Sequence, residues 1–234
     1  LSIQHLYDVD DLSKNTVAQV QSGYESTRRR GFYRAILTGA AGIESCQVNS
    51  LQSAFGRTGM RDLLMQDISI VGMFAGPHID GYARPAGIDV KNLSDWHRVI
   101  DWWFRTYGPV AVAVKSQNDY SRDIDSQDVP ASDVEEVFSR LRSGDPTSGE
   151  HRRRLEDHLF WYAARKAAAS GLPVKLHTGY YAGQNRMPLD RLIRNAGSAC
   201  HLCRTAPDVP FVFMHICYPY YEEILSVAKQ YTNA

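Results

Sequence analysis

The sequence predicts an α/β fold with a mainly parallel sheet, because short apolar runs alternate with stretches of helical periodicity. Parallel neighbours need crossover connections, which the helical stretches would supply. The runs are almost continuously apolar, as expected for strands that are covered on both faces. The predicted strands are Ile43–Val48, Ile68–Phe74, Pro109–Val114, Pro173–Leu176 and Val209–Met214.

The helical stretches carry start and stop signals. Ser94 is expected to cap one helix, and Ser132 with Glu135 matches a capping box. Gly171, followed by Pro173, should end another helix. The expected apolar faces are Trp96, Val99, Ile100, Trp103 and Phe104; Val134, Val137, Phe138 and Leu141; Leu155, Leu159, Tyr162, Ala163 and Ala167; Leu189, Leu192 and Ile193, after Pro188; and Tyr221, Ile224, Leu225 and Ala228.

Length, charge and cysteine content limit the classes of function. The 234 residues suit a single domain, residues 1–234. Lys plus Arg and Asp plus Glu are 26 each, so the zero net charge argues against nucleic-acid and membrane-surface partners. No apolar run approaches transmembrane length, and the N-terminal residues lack a signal-peptide pattern. Four cysteines are too few for a disulfide scaffold, which favours a cytoplasmic location.

Ionisable side chains stand where the predicted strands end. Lys115 ends PVAVAVK, His177 ends PVKLH and His215 ends PFVFMH. His78 follows the second strand in GPHID. Chemistry in parallel α/β folds collects at the carboxyl ends of the strands, and histidine serves there as a metal ligand or a general base. A lysine at a buried strand end is a candidate for a depressed pKa or covalent modification. The set as a whole predicts a catalytic or metal site.

Four longer motifs carry a resemblance to a known family. They are VKSQNDYSR (Val114–Arg122), KLHTGYYAG (Lys175–Gly183), MPLDRLI (Met187–Ile193) and FMHICYPYYEE (Phe213–Glu223). In order and spacing the chain resembles the amidohydrolase superfamily of metal-dependent TIM-barrel enzymes. It is most similar to the branch with uronate isomerases and the amidohydrolase-related half of nodulin-type glutamine-synthetase fusions. The resemblance runs from about Leu12 to the end of the chain.

The resemblance implies a role for each strand-end residue. It places Lys115, His177 and His215 at the ends of barrel strands 4, 5 and 6. His177 would bind a divalent metal, most simply zinc. His215 would be a second ligand or a polarising acid, and Lys115 a carboxylated ligand or a catalytic or substrate contact. In the loops that follow, Tyr120, Tyr180 and Tyr181 would contact a small-molecule substrate, as would His78, and Arg122 could hold its carboxylate.

The implied reaction is metal-assisted hydrolysis, in which a divalent ion activates water against a C–N or C–O bond of a small substrate. A uronate-isomerase-like sugar-acid isomerase is the alternative within the same scaffold. The chain has no His-x-His pair and ends at Tyr231–Ala234, where the family would begin strand 7. We therefore expect an incomplete barrel with about strands 2 to 6 of eight, truncated at both ends. Such a sheet has open edges, which favour a homo-oligomer. A further alternative is a catalytically incompetent partial barrel that acts through self-association or a partner.

Two other patterns favour ordinary structural roles. Cys200 and Cys203 have metal-site spacing but fall late in a helical stretch, which disfavours a zinc or redox site. The arginine clusters Arg28–Arg30 and Arg152–Arg154 lie among acidic and helix-forming residues, which favours solvated helix faces. No glycine-rich phosphate loop or serine-hydrolase elbow is present.

Overall fold

Five parallel strands form one sheet in the order β1-β2-β3-β4-β5 in a computed structural model, which describes residues 2–50, 52–74, 79–180 and 187–234. The strands are β1 (Cys46–Asn49), β2 (Leu64–Ser69), β3 (Ala113–Ser116), β4 (Val174–His177) and β5 (Phe211–Met214). The described residues thus confirm the prediction of an α/β, incomplete TIM-barrel-like fold.

Ten α-helices are present in the described parts of the chain. They are α1 (Ser2–Tyr7), α2 (Val17–Thr27), α3 (Phe32–Arg34), α4 (Ile79–Ala86), α5 (Leu93–Tyr107), α6 (Glu135–Ser143), α7 (Gly149–Ala169), α8 (Leu189–Leu192), α9 (Asn195–Thr205) and α10 (Tyr221–Gln230). A π-helical segment, Ala35–Ala40, follows α3. None of the helices in these ranges combines the length and apolar character needed to cross a bilayer.

The chain divides into two compact units. The first comprises Leu1–Cys46 and Gly59–Met65, and the second comprises Gln47–Thr58 and Gln66–Ala234. In the first unit, Arg34 and Asp62 form an exposed ion pair at 2.9 Å. The second unit contains the main hydrophobic core and the strand-end residues. A single domain over residues 1–234 stays a prediction. Self-association into a homo-oligomer also stays a prediction.

The two faces of the sheet differ in polarity within the second unit. Side chains alternate between faces along a strand. Ile68, Val114 and Leu176 point to the face that packs against α5 and α7 in the main core. The opposite face, called the polar face here, carries buried Asp67, Ser69, Lys115, Lys175 and His177. The register pairs Ser69 with Lys115 and Lys115 with Lys175, which aligns these polar side chains across β2, β3 and β4.

The strand boundaries differ from the prediction, most of all in β2 and β3. β2 begins at Leu64 and ends at Ser69, whereas the apolar run Ile68–Phe74 was expected to be the strand. Val71–Met73 instead forms a 3-10 turn. The start of β2 is hidden in the sequence because polar Asp67 lies within it, where an ion pair compensates for its burial. The expected strand Pro109–Val114 is shifted to β3, because Gly108–Val110 forms a 3-10 turn.

The first residues of two helices also differ from the prediction. Asn92, not Ser94, caps α5, and its side chain accepts a hydrogen bond from the Asp95 backbone N–H at 2.9 Å. Asparagine is as good a cap as serine and comes earlier in the chain. The capping box is not formed, because residues 131–133 make a 3-10 turn and Ser132 donates to Asp133. The predicted end of α7 is confirmed by Gly171, whose φ is +69°.

Two of the expected apolar faces are only partly buried. In α8, Leu192 is buried, but Leu189 and Ile193 are each 51% exposed. In α10, Ile224 is buried as expected, while Leu225 is 60% exposed. The faces expected for α5, α6 and α7 pack in the main core. Spacing alone overestimates the burial of α8 and α10, because it does not show which neighbouring elements cover each face.

A histidine pair joins α5 to α7. The Nε2 atoms of His97 and His158 are 2.9 Å apart, and His158 Nδ1 lies 2.8 Å from the Val129 carbonyl oxygen. Because that carbonyl can only accept, Nδ1 of His158 carries the proton and His97 donates across the pair. Burial, and then the nearby His158, lowers the pKa of His97 to about 4, with Asp101 opposing and Lys166 adding to the shift. Burial also lowers the pKa of His158.

We expect the stability of the protein to fall as the pH is lowered from about 6.5 toward about 4. Both pKa values are depressed in the folded state, so the unfolded chain binds more protons in this range. Urea-unfolding midpoints measured across the range should decline, and the decline should be shallower in His97→Gln. Replacement of the exposed His151 by Ala should leave the slope unchanged. An equal slope in wild type and His97→Gln would contradict the assignment.

Candidate functional site

The structure brings Lys115, His177 and His215 together at neighbouring strand ends. His177 is the last residue of β4, and His215 directly follows β5. Their ring centroids are 4.4 Å apart, with 56° between the ring planes. Lys115 of β3 is 4% exposed, and its Nζ contacts the Met214 sulfur at 2.6 Å. Met214 directly precedes His215 in the chain. The geometry of a joint site is therefore present, while the chemical roles stay predictions.

The electrostatics keep both imidazoles neutral. Burial lowers the pKa of His177 to about 3, and the nearby His215 and Lys115 add to the shift. Partial desolvation of the His215 ring, followed by the nearby Lys115, also lowers the pKa of His215. Burial lowers the pKa of Lys115 to about 8, with Lys175 adding to the shift and Asp67 opposing it. At neutral pH the two rings therefore offer lone pairs, and Lys115 is close to its titration range.

A buried ion pair that the sequence analysis did not identify lies on the same polar face. Lys175 Nζ donates to Asp67 Oδ2 at 2.6 Å and to Gln47 Oε1 at 2.9 Å. Asp67 is 1% exposed, burial raises its pKa, and its Oδ1 has no hydrogen-bond partner among the described residues. Lys175 lies two residues before His177, so strand alternation could have revealed that both share a face.

Four aromatic residues are predicted to contact substrate, and the two that the structure describes do not share one environment. Tyr120 lies in the 3-10 turn Asn118–Tyr120, and its ring meets His177 edge-on with centroids 4.3 Å apart. Tyr180 is 43% exposed, and its backbone N–H donates to the Tyr218 carbonyl at 2.6 Å. Tyr181 and His78 lie outside the described residues. Substrate contact stays a prediction for all four.

Arg122 is engaged by carboxylates of the protein. It donates to Glu156 at 3.1 Å, forms a short ion pair with Asp157, and lies 4.0 Å from Asp125. The Arg122 side chain is 9% exposed. The predicted contact with a substrate carboxylate would have to compete with these partners.

A buried polar network lies behind the site. Asn195 donates to Asp119 Oδ1 at 3.1 Å and accepts from the Gly179 backbone N–H at 2.8 Å. Asp119 is fully buried, and burial raises its pKa to about 6 against the opposing Asn195 hydrogen bond. Asp119 precedes Tyr120, and Gly179 follows shortly after His177. The network therefore ties the segments beside the site to α9, a link that the separate sequence positions do not show.

The two imidazoles fit a divalent metal as a pair of ligands, because both are neutral and adjacent. A catalytic zinc site usually has three protein ligands. Within the described ranges, no group of three or more His, Cys, Asp or Glu side chains converges to hold an ion. The described donors therefore fit part of a metal site. Cys200 and Cys203 lie in α9, as their helical pattern predicted.

Fold and site together define an α/β protein with histidines at the carboxyl ends of parallel strands. The chain is similar to uronate isomerase from Thermotoga maritima, with a TM-score of 0.72 and 10% identity over 100% of this chain and 57% of that chain. It is also similar to a protein from Lactobacillus casei ATCC 334 inferred to be a metal-dependent hydrolase (TM-score 0.61, 15% identity, 86% of this chain and 52% of that chain).

A third similar structure is glucuronate isomerase from Caulobacter crescentus, with a TM-score of 0.63 and 13% identity over 90% of this chain and 50% of that one. This chain thus spans about half the length of the solved structures that it matches. At these identities the likeness is one of fold alone. No protein-family model matches the chain, and no curated protein matches it significantly.

Proposed function

We propose that the chain carries the metal-binding part of a metal-dependent hydrolase, with zinc held by His177 and His215. The observation that carries the proposal is the pair of neutral imidazoles at neighbouring strand ends, with centroids 4.4 Å apart. The structural likeness to a protein inferred to be a metal-dependent hydrolase supports the same class. Other ligands of the ion would come from groups outside this pair.

The chemistry that a bound zinc ion supplies is activation of water for attack on a C–N or C–O bond of a small substrate. Lys115, with a pKa of about 8, is able to take up or release a proton at Nζ near neutral pH. Its protonated form would attract an anionic group of the substrate. The Tyr120 ring packs against the His177 ring in a T-shaped contact and would help to orient it. His215, which is exposed, would be accessible to both the ion and the substrate.

We expect the purified protein to bind zinc stoichiometrically, and His215→Ala to weaken the affinity about tenfold or more. Because His215 is exposed, this change should leave the fold intact, as circular dichroism would show. His177→Gln should weaken zinc binding as well, while His151→Ala, an exposed histidine elsewhere, should not. Isothermal titration with zinc and metal analysis provide the measurements. Wild-type protein without zinc, or a His215→Ala protein with unchanged affinity, would refute the site.

A sugar-acid isomerase is the second candidate. Two of the similar structures are a uronate and a glucuronate isomerase. Among the described residues, the hydrogen bond of the buried Lys115 ammonium goes to the Met214 sulfur and not to a carboxylate, so Lys115 is a suitable partner for a sugar-acid carboxylate. Conversion of a uronate into its ketose isomer, followed by NMR, would separate this activity from hydrolysis.

We further propose a cytoplasmic location. All four cysteines, Cys46, Cys200, Cys203 and Cys217, are free thiols. Persistent free thiols are typical of a reducing compartment. Burial raises the pKa of Cys203 and of Cys217 to about 11, which makes both thiols poorly reactive.

A further inference from the structure

The turn that carries His215 has an unfavourable backbone conformation. His215, Ile216 and Cys217 have φ angles of +62°, +46° and +55°. Three successive residues with side chains in the left-handed region are rare, and a β-branched residue such as Ile216 is especially disfavoured there. Such a conformation persists only where surrounding contacts impose it. The contacts of this turn therefore decide where the His215 ring lies.

Burial of side chains does not explain the turn. Ile216 is 55% exposed and His215 is also exposed, while Cys217 is buried. Within the turn, the Tyr218 backbone N–H donates to the His215 carbonyl at 3.0 Å. This local bond closes the loop but does not attach it to the rest of the site. An attachment to β4 is needed to set the distance between the two imidazoles.

The Thr178 hydroxyl makes that attachment. Thr178 is fully buried and follows His177 directly. Its Oγ1 donates a short hydrogen bond to the Met214 carbonyl and accepts from the Cys217 backbone N–H at 3.2 Å. Met214 directly precedes the strained turn and Cys217 is its last residue, so one hydroxyl connects both of its ends. Because the hydroxyl has both a donor and acceptors, it satisfies both groups at once.

The residues after Thr178 continue the contact. A Cβ added to Gly179 would lie 2.5 Å from the Cys217 carbonyl carbon, which shows how closely the two backbones approach. The Tyr180 backbone N–H then donates to the Tyr218 carbonyl at 2.6 Å. Residues 178–180, which follow β4, therefore lie against the residues that follow β5.

We propose that Thr178 is a positioning residue that holds the His215 turn against β4 and so sets the separation of His177 and His215. It acts on the backbone at both ends of the turn and does not need to touch a substrate. Its effect on zinc binding rests on the proposed function, whereas its effect on the turn does not. The matched changes are Thr178→Val, which keeps the branched shape without the hydroxyl, and Thr178→Ser, which keeps the hydroxyl.

We expect Thr178→Val to expose the Cys217 amide to hydrogen exchange about tenfold faster or more, because its acceptor is lost. The imidazole NMR signals of His215 should broaden or double, and zinc affinity should fall about tenfold. In Thr178→Ser, the amide exchange, the His215 signals and the zinc affinity should all stay near their wild-type values. Thr205→Val is the control, since that hydroxyl donates to the His201 carbonyl within α9, away from the turn.

Each outcome decides the proposal. An unchanged Cys217 amide and unchanged His215 signals in Thr178→Val would overturn it. A loss in Thr178→Val that is equally large in Thr178→Ser, which keeps the hydroxyl, would show that the hydroxyl does not by itself hold the turn and would also overturn it. If the amide and NMR effects occur in a protein that binds no zinc, the positioning role holds and the proposed function fails.

Discussion

Lys175→Met should lower the free energy of unfolding by about 3–5 kcal/mol at neutral pH, because it leaves the Asp67 carboxylate buried without its cation. The side chains of Lys175 and Asp67 are 9% and 1% exposed, so water cannot replace the lost partner. Methionine keeps the length of the lysine stem, which separates the loss of charge from the loss of packing. Equilibrium urea unfolding of both proteins measures the difference.

The control for this change is Lys91→Met. Lys91 pairs with Asp89 at 3.4 Å, and both side chains are more than three-quarters exposed (77% and 78%), so the change should cost less than about 1 kcal/mol. In Lys175→Met the pKa of Asp67 should rise further, and the carboxyl would be neutral at mildly acidic pH. The destabilisation should therefore shrink as the pH falls. Equal costs at the two lysines would show that the buried pair is not important for stability.

Gly179→Ala should destabilise the protein by about 3 kcal/mol or more and weaken zinc binding. Gly179 has a φ of +69°, which an L-residue adopts at a cost, and its new Cβ would lie 2.5 Å from the Tyr218 carbonyl oxygen. Because the obstacle is backbone, it cannot move aside without shifting the loop that carries His215.

Gly171→Ala is a close control for this prediction. Gly171 also has a φ of +69°, but a Cβ there would meet nothing within 4 Å. Its replacement should cost about 1 kcal/mol, the penalty of the left-handed conformation alone. The difference between the two unfolding energies isolates the close approach of the two loops. A Gly179→Ala protein as stable as Gly171→Ala would show that the loops separate easily.

Much of the fold follows from local pattern. The alternation of apolar runs with helical stretches predicted a parallel sheet, and five strands near the expected positions confirm it. The strand-end positions of Lys115, His177 and His215 also followed from the sequence, since parallel strands present their carboxyl ends at one edge. Boundaries were less accurate. The cap of α5 moved from Ser94 to Asn92 because two residues with similar capping ability stood close together.

The rest of the site depends on contacts between distant segments. Asp67 and Lys175 are 108 positions apart, and neither could be recognised as a partner before β2, β3 and β4 were brought into register. Asp119 and Asn195 meet across 76 positions. Arg122 satisfied the sequence criteria for an anion-binding residue, yet Glu156 and Asp157 of α7 engage it.

The sequence by itself determined the α/β class and which ionisable residues stand at the strand ends, because side-chain periodicity and strand polarity are local properties of the chain. Only the tertiary structure decided how those residues are held. The neutral state of His177, the ion pair beneath it and the Thr178 hydroxyl that joins two loops all arise from burial and from long-range contacts. Burial strongly raises the free energy of a charge or an unpaired hydroxyl. The residue type alone does not show whether a group is buried, because burial is set by the packed fold.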